Sequence, residues 1–308
     1  MNILLICSSD YMAIPAAQKL REAGLLSAIA MPLQYKDRLL PSFLQSGFDH
    51  TTIHTVTKKG LTEELLELMQ QYHIDCAFTI TFPWILSQKV LDFPPAGCIN
   101  FHPGLLPTYR GADPIFWQLK NRETHSGLSV HKMTSRIDEG PMLLVQQMQL
   151  IPGETYGMHY QRMGILAAEI VLQVAEIVQQ NQPEAAAVTG DAPFMRKPDR
   201  KQVTINWQQQ TAEEIEALVN AANPKYNGAL TTLRQKEFSI LEVGFADLNN
   251  PPAGVPPGTI VYADALYGPI VACLNNRFLR INTVCLQEGY LSGSKLFSMG
   301  LQPGEVFN

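Results

Sequence analysis

Apolar residues in the first half of the chain fall into short blocks separated by stretches of helix length. Residues 3–7 are a continuous apolar run that turns polar at Ser8-Ser9-Asp10, the pattern of a buried strand. Residues 14–23 carry a helical pattern closed by Gly24, and 26–31 follow as a second strand. Between 62 and 72, Leu65, Leu66, Leu68 and Met69 share one side of a predicted helix with Thr62 as its N-cap. A β-rich run at 76–81 and a short one at 98–101 come next, then strand-like runs at 128–133 and 142–150 and one long helix at 156–180. Strands separated by helices predict an α/β fold with a doubly wound parallel sheet.

The texture changes after this helix. Residues 181–200 are polar and hold Pro183, Pro193 and Pro198, which suits a linker. A helix is expected at 211–222, followed by short β-like runs at 238–243, 259–262, 270–274 and 278–284 with Gly, Pro and Asn between them. Short strands at that spacing predict a small barrel or sandwich. The expected domains are 1–190, a linker at 191–202, and 203–308.

Composition narrows the class. The 308 residues are 46% hydrophobic and 17% charged, with a net charge of −5, so the chain is globular and its overall charge announces no polyanionic partner. The N-terminal apolar run is too short for a signal peptide or a membrane span, and a cytoplasmic location is expected. The five cysteines form no close pair; Cys7, Cys76 and Cys98 lie in strand-like runs and read as reduced core residues.

The sequence argues against a nucleotide site for NAD or ATP. The loop after the first strand has no glycine, and neither a GxGxxG turn nor a GxxxxGK[ST] phosphate loop occurs in the chain. The informative stretch is Asn100-Phe-His-Pro-Gly-Leu-Leu-Pro-Thr-Tyr-Arg-Gly-Ala-Asp-Pro114. Strand alternation puts Asn100 and His102 on one face, at the carboxyl end of a strand, where α/β sheets bind ligands. An amide and an imidazole there can polarise a carbonyl and move a proton. The stiff loop that follows, with two prolines and two glycines, shapes a pocket. Ser135-Arg136-Ile137-Asp138-Glu139-Gly140 is a turn between two later strands. His131, alternating with Leu128 and Val130, reads as a surface or pocket-edge residue.

Together, Asn-x-His, then Leu-Leu-Pro-x-Tyr-Arg-Gly, then an Ile-Asp-x-Gly turn resemble the folate-dependent formyltransferase family. The second half resembles the small OB-like barrel of its two-domain, methionyl-tRNA formyltransferase-like members. The resemblance implies a Rossmann-like catalytic domain, 10-formyltetrahydrofolate as formyl donor, no metal, and Asn100, His102 and Asp138 as catalytic trio. It implies folate contacts from Phe82, Ile85 and Leu86 in the 81–88 loop, and from Ser135, Arg136 and Ile137 in the turn. Gly104, Glu139 and Pro141 depart from the family's usual residues.

The acceptor is expected to be the primary amine of a small molecule such as an amino sugar. Residues 203–308 hold six Lys/Arg against nine Asp/Glu, and the 32–48 stretch offers only Lys36 and Arg38 against Asp37. Initiator tRNA is the alternative acceptor. Water, as in a formyltetrahydrofolate hydrolase, and a folate-binding regulator without turnover stand behind it. The oligomeric state stays open.

Overall fold

The computed structural model describes residues 1–308 except 182–184, 188–192, 250–251 and 253, with backbone only for 185–187. The start of the expected linker, at 191–192, lies outside the described residues. The chain divides into two compact units: 1–114, 125–149 and 160–195 form the first; 115–124, 150–159 and 196–308 form the second.

The first unit carries β1 (Ile3–Cys7), α1 (Asp10–Glu22), β2 (Leu26–Pro32), α2 (Lys36–Gln45), β3 (Ile53–Val56), α3 (Leu61–Gln71), β4 (Cys76–Ile80), α4 (Gln88–Leu91) and β5 (Cys98–His102). After α5 (Pro114–Lys120) come β6 (His125–Lys132), β7 (Pro141–Gln149), α6 (Tyr156–Gln179) and β8 (Ala185–Ala187). These eight strands form one sheet in the order β3-β2-β1-β4-β5-β6-β7-β8. Every side chain of β1 and β4 is buried, as a parallel sheet covered on both faces requires. One face packs Leu4, Ile6, Ala30, Ala77 and Cys98 against Leu65, Leu68 and Met69 of α3, the apolar side anticipated for that helix. The helix begins one residue earlier than expected, with Gly60 rather than Thr62 as its N-cap.

The parallel prediction holds from β3 to β5 and fails beyond it. β6 pairs antiparallel with both β5 and β7. For β6 and β7 the physical reason is connection length: only residues 133–140 join them, and a parallel crossover needs a dozen or more. The 32–48 stretch contains α2, which buries only Leu39 and Phe43 and holds Pro41 in its interior. Two apolar contacts around a proline leave little helical periodicity to read.

The second unit carries α7 (Ala212–Ala222), β9 (Ala229–Leu233), β10 (Lys236–Ala246), β11 (Ile260–Asp264), β12 (Gly268–Ala272), β13 (Phe278–Leu286), β14 (Gly289–Ser292) and α8 (Gly293–Ser298). α7 opens with a capping box between Thr211 and Glu214. The strands run β11-β12-β13-β10-β9, with β14 on β13, all antiparallel. The last residues of the chain close this sheet into the expected barrel. Ile260 N donates to Glu305 O and Phe307 N to Gly258 O, each at 2.8 Å; Thr232 and Asn308 exchange backbone bonds of 2.8 and 2.9 Å. The 305–308 tail thus joins β11 to β9.

Phe307 anchors that closure. Its ring is stacked on Trp207 at a centroid distance of 5.8 Å and meets Phe238 edge-on, and the Trp207 indole N–H donates to Thr231 Oγ1 at 2.9 Å. Phe307→Ala should therefore lower stability by roughly 3–5 kcal/mol, through lost burial plus a cavity. Urea unfolding followed by Trp207 fluorescence measures it; an unchanged midpoint would show that the tail does not hold the barrel shut.

Candidate active site

The chain runs outward through β1, β2 and β3 and then returns to β4 and β5, so the strand order reverses between β1 and β4, and ligands of α/β sheets bind near the carboxyl ends of such strands. Asn100 and His102 lie on one face at that end of β5. The hairpin of β6 and β7 folds back beside them and brings its turn, with Asp138, to the same place. The Leu106–Pro107 peptide in the intervening loop is cis.

Asp138 is buried, with a left-handed backbone (φ +56°) that Asp tolerates better than most residues. Its Oδ2 accepts the Gly111 N–H at 2.9 Å. Its Oδ1 is 3.6 Å from His102 Nδ1 and 3.5 Å from His131 Nε2. Burial alone would raise its pKa; the two rings and the Gly111 N–H outweigh burial and hold it down at about 2. Gly140 makes the turn possible, because a Cβ there would sit 1.7 Å from Lys132 O.

His102 is buried, and burial lowers its pKa against the opposing pull of Asp138, so the ring is neutral at neutral pH. Its Nε2 lies 2.7 Å from the Tyr109 carbonyl oxygen. A carbonyl only accepts, so Nε2 carries the proton and the lone pair sits on Nδ1, facing Asp138. The sequence pattern allows His102 as an oxyanion donor; this geometry commits its N–H to Tyr109 and leaves it a base.

His131, expected at a surface or a pocket edge, lies beside Asn100 and Asp138. It is buried, not at a surface, and stands directly opposite Asn100 in the β5–β6 register. Its Nδ1 is 3.1 Å from Lys132 O; its Nε2 lies 3.5 Å from Asp138 Oδ1 and is hydrogen-bonded to the Asn100 side-chain nitrogen at 3.2 Å. That bond fixes the amide and leaves its second N–H and its carbonyl oxygen for a ligand.

The folate contacts expected in 81–88 divide. Ile85 is 71% exposed, Phe82 is partly buried edge-on to Trp84, and Leu86 is buried in the core beside Leu65 and Val90. Leu86 therefore belongs to the core rather than to an open pocket wall. In the turn, Ser135 and Arg136 are exposed and Ile137 is 41% exposed. Among the described residues no group of three or more His, Cys, Asp or Glu side chains is arranged to hold a metal ion. Cys7, Cys98 and Cys273 are buried free thiols that burial pushes up to about 12, and burial raises Cys76 as well. Among the described residues no helix is long and apolar enough to cross a membrane.

Comparison with known proteins agrees with this architecture. Residues 34–175 match the family model described as formyl transferase, and 198–300 match that of the formyl transferase C-terminal domain. The chain is 30% identical to the methionyl-tRNA formyltransferase of Geobacter metallireducens over 318 aligned positions, covering 99% of this chain and 97% of that protein. It is 34% identical to that of Syntrophus aciditrophicus over 181 residues, 57% of this chain and 56% of that one. Among solved structures, the sugar 3N-formyl transferase WlaRD shares the fold with a TM-score of 0.64 at 15% identity, covering 91% of this chain and 97% of that one. HypX from Aquifex aeolicus shares it at 0.67 and 15%, over 98% of this chain and 48% of that one.

A Rossmann-like unit with an amide, an imidazole and a carboxylate at its strand ends, joined to a small barrel, defines a group-transfer enzyme. The chain belongs to the formyltransferase family, in its two-domain form.

The relatives overturn the expected small-molecule acceptor, since those most similar in sequence are named for methionyl-tRNA. Arg196, Lys197, Arg200 and Lys201 lie before residue 203 and yet belong to the second unit. The second unit as folded holds twelve Lys/Arg against twelve Asp/Glu. A neutral balance does not oppose RNA, whose affinity depends on local phosphate contacts rather than on net charge.

Proposed function

We propose that this enzyme transfers the formyl group of 10-formyltetrahydrofolate to the amino group of methionyl-tRNA in the cytoplasm. The observation that carries the chemistry is the pairing of a neutral His102, its Nδ1 lone pair free, with an ionised Asp138 beside an oriented Asn100. The exposed Ile85 and Ile137 side chains and the partly buried Phe82 ring suit a flat, apolar pterin.

The amine attacks the formyl carbon, and the carbonyl oxygen gains negative charge. The free N–H of Asn100 donates to that oxygen, a contribution worth about 3–4 kcal/mol where such donors have been removed. The attacking nitrogen becomes acidic as its bond to carbon forms. His102 Nδ1 takes up its proton, directly or through water, and Asp138 stabilises the resulting imidazolium. Collapse breaks the carbon–nitrogen bond to the donor, and the held proton passes to the departing nitrogen.

The test supplies 10-formyltetrahydrofolate with charged initiator methionyl-tRNA, other aminoacyl-tRNAs and a panel of free amines. Formyl-methionyl-tRNA should form, with an apparent KM that rises steeply with salt as phosphate contacts weaken. Formylation of free amines alone, or tetrahydrofolate release without any acceptor, would sink the reading.

A further inference from the structure

Glu139 follows Asp138 directly and is one of the positions where this chain departs from the usual family turn. Its carboxylate, 24% exposed, is paired closely with the guanidinium of Arg110, itself only 16% exposed. Its second oxygen lies 3.4 Å from Arg136 Nη1, whose side chain is 81% exposed. Arg110 Nη2 also reaches the Ile137 carbonyl oxygen at 3.4 Å, while Arg110 Nε is buried without a hydrogen-bond partner. Consecutive residues of the motif loop, Arg110 and Gly111, thus hold consecutive residues of the turn, Glu139 and Asp138. The motif loop is fixed from its other side, where Met195 N donates to Arg110 O at 2.7 Å and Ala112 N to Met195 O at 2.8 Å.

This clasp has work to do. Asp138 occupies left-handed backbone, a conformation that persists only where the surroundings hold it. The turn's anchor at its base is the close approach of Gly140 to Lys132 O, which fixes where the turn starts and not where its tip points. Without Glu139, Arg110 would be a mostly buried guanidinium lacking its carboxylate, and such a group swings toward water and takes its contact to Ile137 O with it.

We propose that Glu139, acting through Arg110, is a positioning residue that sets the distance of Asp138 from His102. This rests on the formyl-transfer reading of the same site. Glu139→Gln keeps the shape and removes the charge; Glu139→Asp keeps the charge on a shorter arm; the exchange Arg110→Glu with Glu139→Arg reverses the pair. All are made in the full chain and compared for kcat, KM, melting temperature and the NMR titration of the His102 ring.

Glu139→Gln should lower kcat about tenfold, the scale of a small misplacement of a reacting group, with KM for 10-formyltetrahydrofolate nearly unchanged. The His102 titration should move to lower pH, because Asp138 is the group that supports its charged form. Glu139→Asp should fall between the two, and the exchanged pair should recover part of the loss. A Glu139→Gln enzyme with wild-type kcat and an unmoved His102 titration would overturn the proposal. So would a kcat loss matched by a fall in melting temperature with His102 unmoved. If the wild-type enzyme formylates no acceptor, the function reading fails, while the His102 titration still decides the positioning role.

Discussion

Asp138→Asn is expected to lower kcat by about ten-thousandfold while leaving folate affinity nearly intact, the scale seen when the carboxylate partner of a catalytic histidine becomes an amide. The substitution is isosteric. Asn tolerates the left-handed backbone at 138, and its carbonyl oxygen can still accept the Gly111 N–H that Asp138 Oδ2 accepts at 2.9 Å. The turn therefore stays in place, and the change falls on the other oxygen, 3.6 Å from His102 Nδ1. An amide NH2 there donates to the Nδ1 lone pair and occupies the site that must receive the amine's proton. It also removes the charge that stabilises the imidazolium.

The same loss appears in the pH profile. His102 works as a base when neutral, so kcat/KM falls as pH drops through its pKa, which burial already holds below the ordinary 6.5. Asp138 opposes that lowering, so in Asp138→Asn the acid limb should move further down. Steady-state kinetics from pH 4 to 8, with folate binding followed by calorimetry, measures both. Normal turnover, or simple failure to bind folate, would make Asp138 a structural turn residue.

How much of this site was legible follows from what kind of information each residue needs. Asn100 and His102 share a strand, so alternation alone places them on one face. Asp138 is far from them in sequence, and only the motif as a whole tied it to them. His131 shows where such reading ends: its role depends on the antiparallel register that sets it opposite Asn100, and alternation within one strand carries no information about a neighbour's register. The antiparallel pairing of β6 with β7 was legible in principle from the short 133–140 connection, whereas the long 103–124 connection leaves the direction of β6 against β5 open. Leu86 and Ile85 are adjacent apolar residues with opposite fates, one in the core and one exposed, and a loop has no period from which to tell them apart. The acceptor was misjudged because a charge count depends on where a boundary is drawn, and the folded second unit draws it elsewhere.

The second large effect separates the two jobs at the site. His102→Ala should lower kcat by a factor similar to Asp138→Asn, about ten-thousandfold. The double variant should be little worse than either, because a base and the carboxylate that supports it act as one unit. Asn100→Ala removes the oxyanion donor and should cost about a hundred- to a thousandfold by itself. Asn100 serves a different atom of the reacting group, so its loss should multiply with that of His102 until the background rate is reached. The structure adds one complication with a definite sign. Asn100 is held by His131, and His131 lies 3.5 Å from Asp138, so the amide and the carboxylate share a neighbour. His131→Ala should then resemble a weakened Asn100→Ala, lowering kcat with little change in folate affinity. Single-turnover rates for Asn100→Ala, His102→Ala, Asp138→Asn and the two doubles resolve the pattern. If Asn100→Ala with His102→Ala proved no worse than His102→Ala alone, well above the background rate, the amide would not be an independent oxyanion donor, and its bond to His131 would be its whole role.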